Sequence, residues 1–172
     1  KFLLKKILFI PLLLTVSNTQ LTPLKAALEF QWDKNNNYRQ LQWYQRTSQK
    51  RSKNKIFFFF KPSDRKTGFL SISVKLPEKF KSSIKPKNIS LCKVNIGGFS
   101  SRTKCIENVP SDVEINKDVS KINIFPIIPI PSSKDSYAIV FKLNNPQKSG
   151  LYQFHSFAKS SGVIPVSSYI GS

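Results

Sequence analysis

The chain has 172 residues, enough for one domain with a core of its own. It carries 28 basic residues against 9 acidic ones, a net charge of +19, so its natural partners are anionic. With two cysteines, one histidine and no C-x-x-C, a zinc centre is a weak reading of the chain.

The chain opens on KFLLKK, continues with ILFIPLLLTV and then SNTQLTPLKAA. A basic stretch, a ten-residue apolar run and a polar stretch ending in small residues form the layout of a secretory signal peptide. The run Ile7–Val16 falls well short of the roughly 20 apolar residues of a membrane span, and Pro11 interrupts it. Residues 1–26 are therefore assigned to a signal peptide, with cleavage after Ala26 or Ala27 and no transmembrane segment in the mature chain. Four lysines leave with it, so the net charge of +19 falls to +15. The sequence starts at Lys1 and has no Met, which reads as a trimmed start. The closing VSSYIGS alternates to its last residue, which reads as a strand cut short.

Residues 27–54 are polar, basic and aromatic, and their spacing predicts a short helix over about Tyr38–Gln45 with Asn36 or Asn37 as its cap. Trp32, Trp43 and Tyr44 either pack on the domain or stack on sugar rings. Arg46, Lys50, Arg51, Lys53 and Lys55 follow within ten residues. Together these eight side chains form the candidate anion- or glycan-binding set, against the alternative of a solvated, flexible linker.

From residue 55 to 172 the pattern is β. KIFFFF is apolar on both faces and reads as a strand covered on both sides. KPSDRKTG is a turn. In FLSISVKLP, Leu70, Ile72, Val74 and Leu76 face one way and Ser71, Ser73 and Lys75 the other, the period of a half-buried antiparallel strand. NISLCKVNI, the turn GGFSS and the returning RTKCIENV make a hairpin, and further strands are predicted at 111–116, 120–125, 136–143 and 151–158. Pro126, Pro129 and Pro131 bar FPIIPIP from a central strand, so it lies at an edge or crosses between sheets. About eight short strands without a long helix predict an all-β, antiparallel two-sheet sandwich, immunoglobulin-like first and a jelly roll second.

The two cysteines flank the turn. A hairpin centred between Gly98 and Phe99 sets Cys92 opposite Cys105, within reach of a disulfide. A redox pair is expected as C-x-x-C, and a nucleophilic cysteine would have only His155 as its base. A disulfide agrees with the export signal, since both point to an oxidising compartment.

Other chemistry is thinly signalled. His155 in LYQFHSFA reads as a strand histidine, and a hydrolase built around it is a remote alternative without a G-x-S-x-G motif. Asp112, Glu114, Asn116 and Asp118 are spaced by two like the start of a calcium loop, but Lys117 stands where glycine is needed and Asn123 where glutamate is needed. They read as the wet face of a strand, able to meet a basic patch of a neighbour. No metal or cofactor is assigned. Nucleic acid is set aside on export and on the scarcity of arginine, 5 Arg among 28 basic residues. The abundance of Lys, Asn, Ile and Phe also matches an A+T-rich genome, which would account for part of the charge.

One resemblance is carried by the last third of the chain: Pro129 and Pro131 ahead of Tyr137–Leu143, then Asn145-Pro146, Gly150, Tyr152, Phe154, Ala158 and Gly162, and Pro165 before Tyr169-Ile170-Gly171. With the aromatic strand Ile56–Phe60 and the strand ending at Leu76-Pro77, this resembles the domain of unknown function 2808 family of exported cyanobacterial proteins. The resemblance implies export and a β-rich domain, and no activity. The expectation is thus an exported, non-enzymatic binding or structural module of the cell envelope, in the periplasm or, alternatively, the thylakoid lumen or outside the cell. Its expected partners are an anionic envelope polymer, lipid at the membrane surface, or a protein at a sheet edge; a cationic carbohydrate- or lipid-binding protein is the alternative.

Overall fold

The computed structural model describes residues 39–80, 82–162 and 165–172, all within the compact unit Asp33–Ser172. The expected signal peptide and Trp32 lie outside the described residues. Among the described residues, ten strands form two five-stranded antiparallel sheets packed as a sandwich. Sheet A contains β1 (Trp43–Gln45), β2 (Lys53–Phe60), β8 (Tyr137–Asn144), β4 (Ile89–Asn95) and β5 (Lys104–Val109) in that spatial order. Sheet B contains β10 (Ser167–Gly171), β9 (His155–Ser160), β3 (Phe69–Lys75), β7 (Lys121–Pro126) and β6 (Ser111–Ile115). Among the described residues no helix is long and apolar enough to cross a membrane.

Strand alternation builds the core. Ile56, Phe58 and Phe60 of β2 and Ile139, Phe141 and Leu143 of β8 face Ile72, Val74, Ile122, Ile124 and Ala158 of sheet B. The opposite side of β2 is apolar too: Phe57 and Phe59 are buried with Cys92, Val94, Ala138 and Val140 in a second cluster on the outer face of sheet A. KIFFFF is thus buried on both faces, as its composition requires.

Four expectations are corrected. The predicted helix over Tyr38–Gln45 is extended where it is described, because Trp43–Gln45 pairs with Ile56–Phe58. A weak local helix signal loses to a ladder along a strongly apolar strand. The sandwich also starts before residue 55, since Leu41 is in the core and β1 is part of sheet A. In β3, Phe69 rather than Leu70 is buried, because an irregularity against β9 between Phe69 and Ser71 shifts the alternation by one residue. The strand expected at 151–158 is β9, which starts at His155 and ends at Ser160.

The segment after β7 crosses from sheet B to sheet A, held by the paired Phe69 and Ile130. Arg65 anchors it. This side chain is 2 % exposed, donates from its guanidinium to the carbonyls of Pro131, Ser133 and Asp135, and lies over the Tyr137 ring, 4.7 Å from its centroid. Burial lowers its pKa, while Tyr137, Asp135 and Asp64 oppose that shift. Only a planar fork with several donors satisfies three diverging carbonyls. Arg65→Ala is expected to cost about 3 kcal/mol, because it empties the buried guanidinium site and takes a charged donor from three carbonyls. Arg65→Lys is expected to recover only part of it. Urea unfolding of the two variants checks both.

Candidate functional site

Cys92 and Cys105 form a disulfide with Cα atoms 5.7 Å apart. The bond is the expected one, but the register is not. Cys92 faces Asn108 and Cys105 faces Val94, with the ladder shifting between Lys93 and Val94 so that Ile106 is left over on β5. The bulge skews the hairpin, and the bridge runs diagonally on the outer face instead of directly across. Above it, the connecting loop is tied at its neck. The Gly98 amide donates to the Ser101 carbonyl at 3.0 Å, and the Gly97 amide to Thr103 Oγ1 at 3.0 Å. A Cβ at Gly97 would collide with the backbone of Ser101, Arg102 and Thr103, so glycine is required there. Tyr44 and residues 97–103 line an open cleft of about 360 Å³.

The structure divides the two described aromatics of the candidate set. Trp43 opposes Phe58 of the inner core, while Tyr44 opposes Phe57 of the outer cluster, so the two rings lie on opposite faces of β1. They do not form one stacking platform. Both remain well exposed, Trp43 at 52 % and Tyr44 at 43 %.

The basic residues behave differently. The turn between β1 and β2 is pinned from below rather than being the flexible linker considered above. The Oδ1 of buried Asn54 accepts the amides of Arg46 and Thr47, and its Nδ2 donates to the Thr47 carbonyl and to Asn145 Oδ1. Asn145 Nδ2 in turn donates to the carbonyls of Thr47 and Gln49. Lys50 and Arg51 sit in this turn, where Arg51 takes a left-handed φ of 56°.

On β2, Lys53 and Lys55 share the outer face with Phe57. Lys55 opposes Lys142 of β8, and its ammonium lies 5.0 Å from the centroid of the Phe57 ring. The pKa of Lys55 is lowered by burial first, then by the charges of Lys142 and Arg46. Arg46, Lys55 and Lys142 therefore converge as like charges. The ion pair among the described residues, Lys93 with Asp135 at 2.9 Å, lies elsewhere. Lys142 was missed in the sequence because only the β2–β8 register brings it to Lys55.

The remaining candidates stay apart from this strip. His155 lies on the outer face of sheet B opposite Lys75, with Nδ1 3.5 Å from the Tyr169 hydroxyl. Burial and then Lys75 lower its pKa. Its neighbour Ser156 points inward, opposite Val74. Asp112 and Glu114 are exposed on β6, and Asn116 closes the following turn by accepting the Lys121 amide and donating to Ser120 Oγ. Among the described residues no group of three or more His, Cys, Asp or Glu is placed to hold a metal ion.

Two outcomes follow. Replacing both cysteines by alanine is expected to lower stability by about 3 kcal/mol on the loop-entropy model for a closed loop of roughly 14 residues, read by urea unfolding. Lys55 supplies the second. Its folded pKa lies below the ordinary 10.5, so between the two values the unfolded chain holds more protons and stability rises with pH. Unfolding from neutral pH upward is expected to show this rise in the parent and a weaker one in Lys55→Gln.

Among solved structures, the fold is similar to the collagen-binding domain of a Staphylococcus aureus adhesin, with 10 % identity, a TM-score of 0.44 and coverage of 79 % of this chain and 95 % of that one. It is also similar to ACE19, the collagen-binding subdomain of the Enterococcus faecalis surface protein ACE, with 8 % identity, a TM-score of 0.46 and coverage of 78 % and 93 %. These likenesses concern the chain path alone. No curated protein sequence matches the chain significantly. The family model described as "Protein of unknown function (DUF2808)" matches residues 29–172, covering both sheets of the sandwich and the segment ahead of them. The chain belongs to the DUF2808 family.

Proposed function

We propose that this protein is an exported, non-enzymatic binding module of the cell envelope, and that the basic strip of sheet A is its binding face for an anionic envelope polymer. The observation that carries the reading is the convergence of Arg46, Lys55 and Lys142 on a turn that Asn54 and Asn145 hold fixed. Like charges brought together cost folding energy, and a polyanion laid across them removes that cost. Lys50, Arg51 and Lys53 extend the strip along the polymer, and Tyr44 offers a half-exposed ring on the same face for a sugar. Export is supported by the signal-peptide layout of residues 1–26 and by the disulfide, which persists in an oxidising compartment such as the periplasm.

The test is retention on immobilised dextran sulfate, used as a model acidic polysaccharide, across a salt gradient. The parent is expected to bind at low salt and to elute as ionic strength approaches about 1 M, where screening acts within about 3 Å. Arg46→Ser/Lys55→Ser/Lys142→Ser is expected to elute much earlier than Lys79→Ser/Lys85→Ser/Lys87→Ser, which removes the same charge from exposed sites elsewhere. Equal elution of the two triple variants would reduce the binding to net charge and remove the strip as a site.

A further inference from the structure

The loop joining β4 and β5 shares its cleft with Tyr44. Among the described residues the lining joins the Tyr44 and Phe99 rings, the hydroxyl side chains of Ser100, Ser101 and Thr103, and the cation Arg102. The volume of about 360 Å³ lies at the small end of the range for ligand sites, about 300–1,000 Å³. Both walls are held in place. Tyr44 packs on buried Phe57 with ring centroids 6.0 Å apart, and β1 fixes its backbone against β2. The loop is closed by the Gly98–Ser101 and Gly97–Thr103 hydrogen bonds and braced at its base by the disulfide. Phe99 is exposed to water at the rim.

The polar groups of this cleft are uncommitted. Among the described residues, the Ser100 and Ser101 hydroxyls and the Arg102 guanidinium have no hydrogen-bond or ion-pair partner. No carboxylate stands among the described lining residues, so the charge of Arg102 is not compensated there. Hydroxyls and an aromatic face suit a pyranose ring, whose own hydroxyls exchange hydrogen bonds and whose C–H face packs on an aromatic. The guanidinium adds a demand of its own, because its fork takes a carboxylate through two parallel bonds. In a uronic acid the carboxylate is attached to the sugar ring itself. One ring can then meet the aromatic wall and the fork together.

We propose that this cleft is the subsite for a single uronic-acid unit of the bound polymer, with the sugar ring against Tyr44 and its carboxylate on Arg102. The inference rests on the basic strip as the polymer's binding face and adds the selection of the sugar. Phe57 connects the two. The Lys55 ammonium lies 5.0 Å from the centroid of its ring, and the Tyr44 ring packs beside the same ring. A polymer laid over Lys55 therefore runs next to Tyr44 and the mouth of the cleft. The lysines of the strip attract any polyanion as point charges, whereas a planar fork beside an aromatic wall distinguishes one acidic sugar from another.

The test is calorimetric titration with trigalacturonate and with its fully methyl-esterified form, at physiological ionic strength, where distant charges are screened. The ester keeps the sugar rings and removes the negative charge. The parent is expected to bind the acid about tenfold or more tighter than the ester, the effect of a hydrogen-bonded charge pair. Arg102→Gln is expected to abolish that preference by weakening the acid alone. Tyr44→Leu, which keeps an apolar side chain over Phe57, is expected to weaken acid and ester by a similar factor, because stacking does not depend on the charge. Equal affinity of the parent for acid and ester, no binding of either, or an acid preference that survives in Arg102→Gln would overturn the proposal. So would a Lys79→Gln control that loses the preference as Arg102→Gln does, since the effect would then be net charge. Retention on dextran sulfate separates this outcome from failure of the strip. Dependence of that retention on Arg46, Lys55 and Lys142, with no preference for the acid, removes the cleft and leaves the strip. An acid preference carried by Arg102, with retention indifferent to those three residues, removes the strip and leaves the cleft.

Discussion

The pairing of β2 with β8 is the constraint on which the rest of the molecule depends. Eight consecutive positions, from Lys53 with Asn144 to Phe60 with Tyr137, join segments far apart in the sequence. One face of that ladder supplies Phe58, Phe60, Ile139 and Phe141 to the sandwich core. The other supplies Phe57, Phe59, Ala138 and Val140 to the outer cluster. A slip of one residue would exchange the two faces, and both are apolar, so alternation alone does not fix the register. The polar ends do that. Asn54 is satisfied only where Asn145 and the carbonyl of Thr47 meet it, and a buried amide without partners is costly.

The same ladder creates the electrostatic feature of the molecule. Register that satisfies Asn54 also sets Lys55 against Lys142. The fold thus accepts a local repulsion to obtain a buried polar match. Phe57 moderates it, because the face of an aromatic ring attracts the Lys55 ammonium above it. Arg65 shows the opposite arrangement, a cation drawn inward because several carbonyls and a ring surround it. One cation is consumed by structure, and the others remain exposed where a partner can reach them.

The chain's edges are handled by different means. β5 is closed off by a bulge at Ile106 and by the disulfide to β4, devices that discourage further strand pairing. β10 carries an irregularity near its end, and β1 has three residues. These edges favour recognition by side chains on loops and faces over recognition by added strands, which agrees with the basic strip as a contact surface.

Much of the fold was legible in the sequence because strand periodicity and turn chemistry are local. The alternation of FLSISVKLP, the prolines of FPIIPIP and the glycines between the cysteines each report a short-range requirement. The errors arose where tertiary pairing overrode that signal: Trp43–Gln45 was drawn into a strand by β2, and Leu70 was displaced by an irregularity. Of the candidate site, Arg46 and Lys55 were visible as a run of charge, but Lys142 and the separation of Trp43 from Tyr44 were not. By itself the sequence determined the β class, the disulfide partners and the layout of an export signal, all of which depend on residue type and short spacing. Only the tertiary structure decided which cations meet, which aromatics share a face and which apolar side chains stay in water. Those outcomes depend on the register of strands distant in the chain, and no local pattern encodes it.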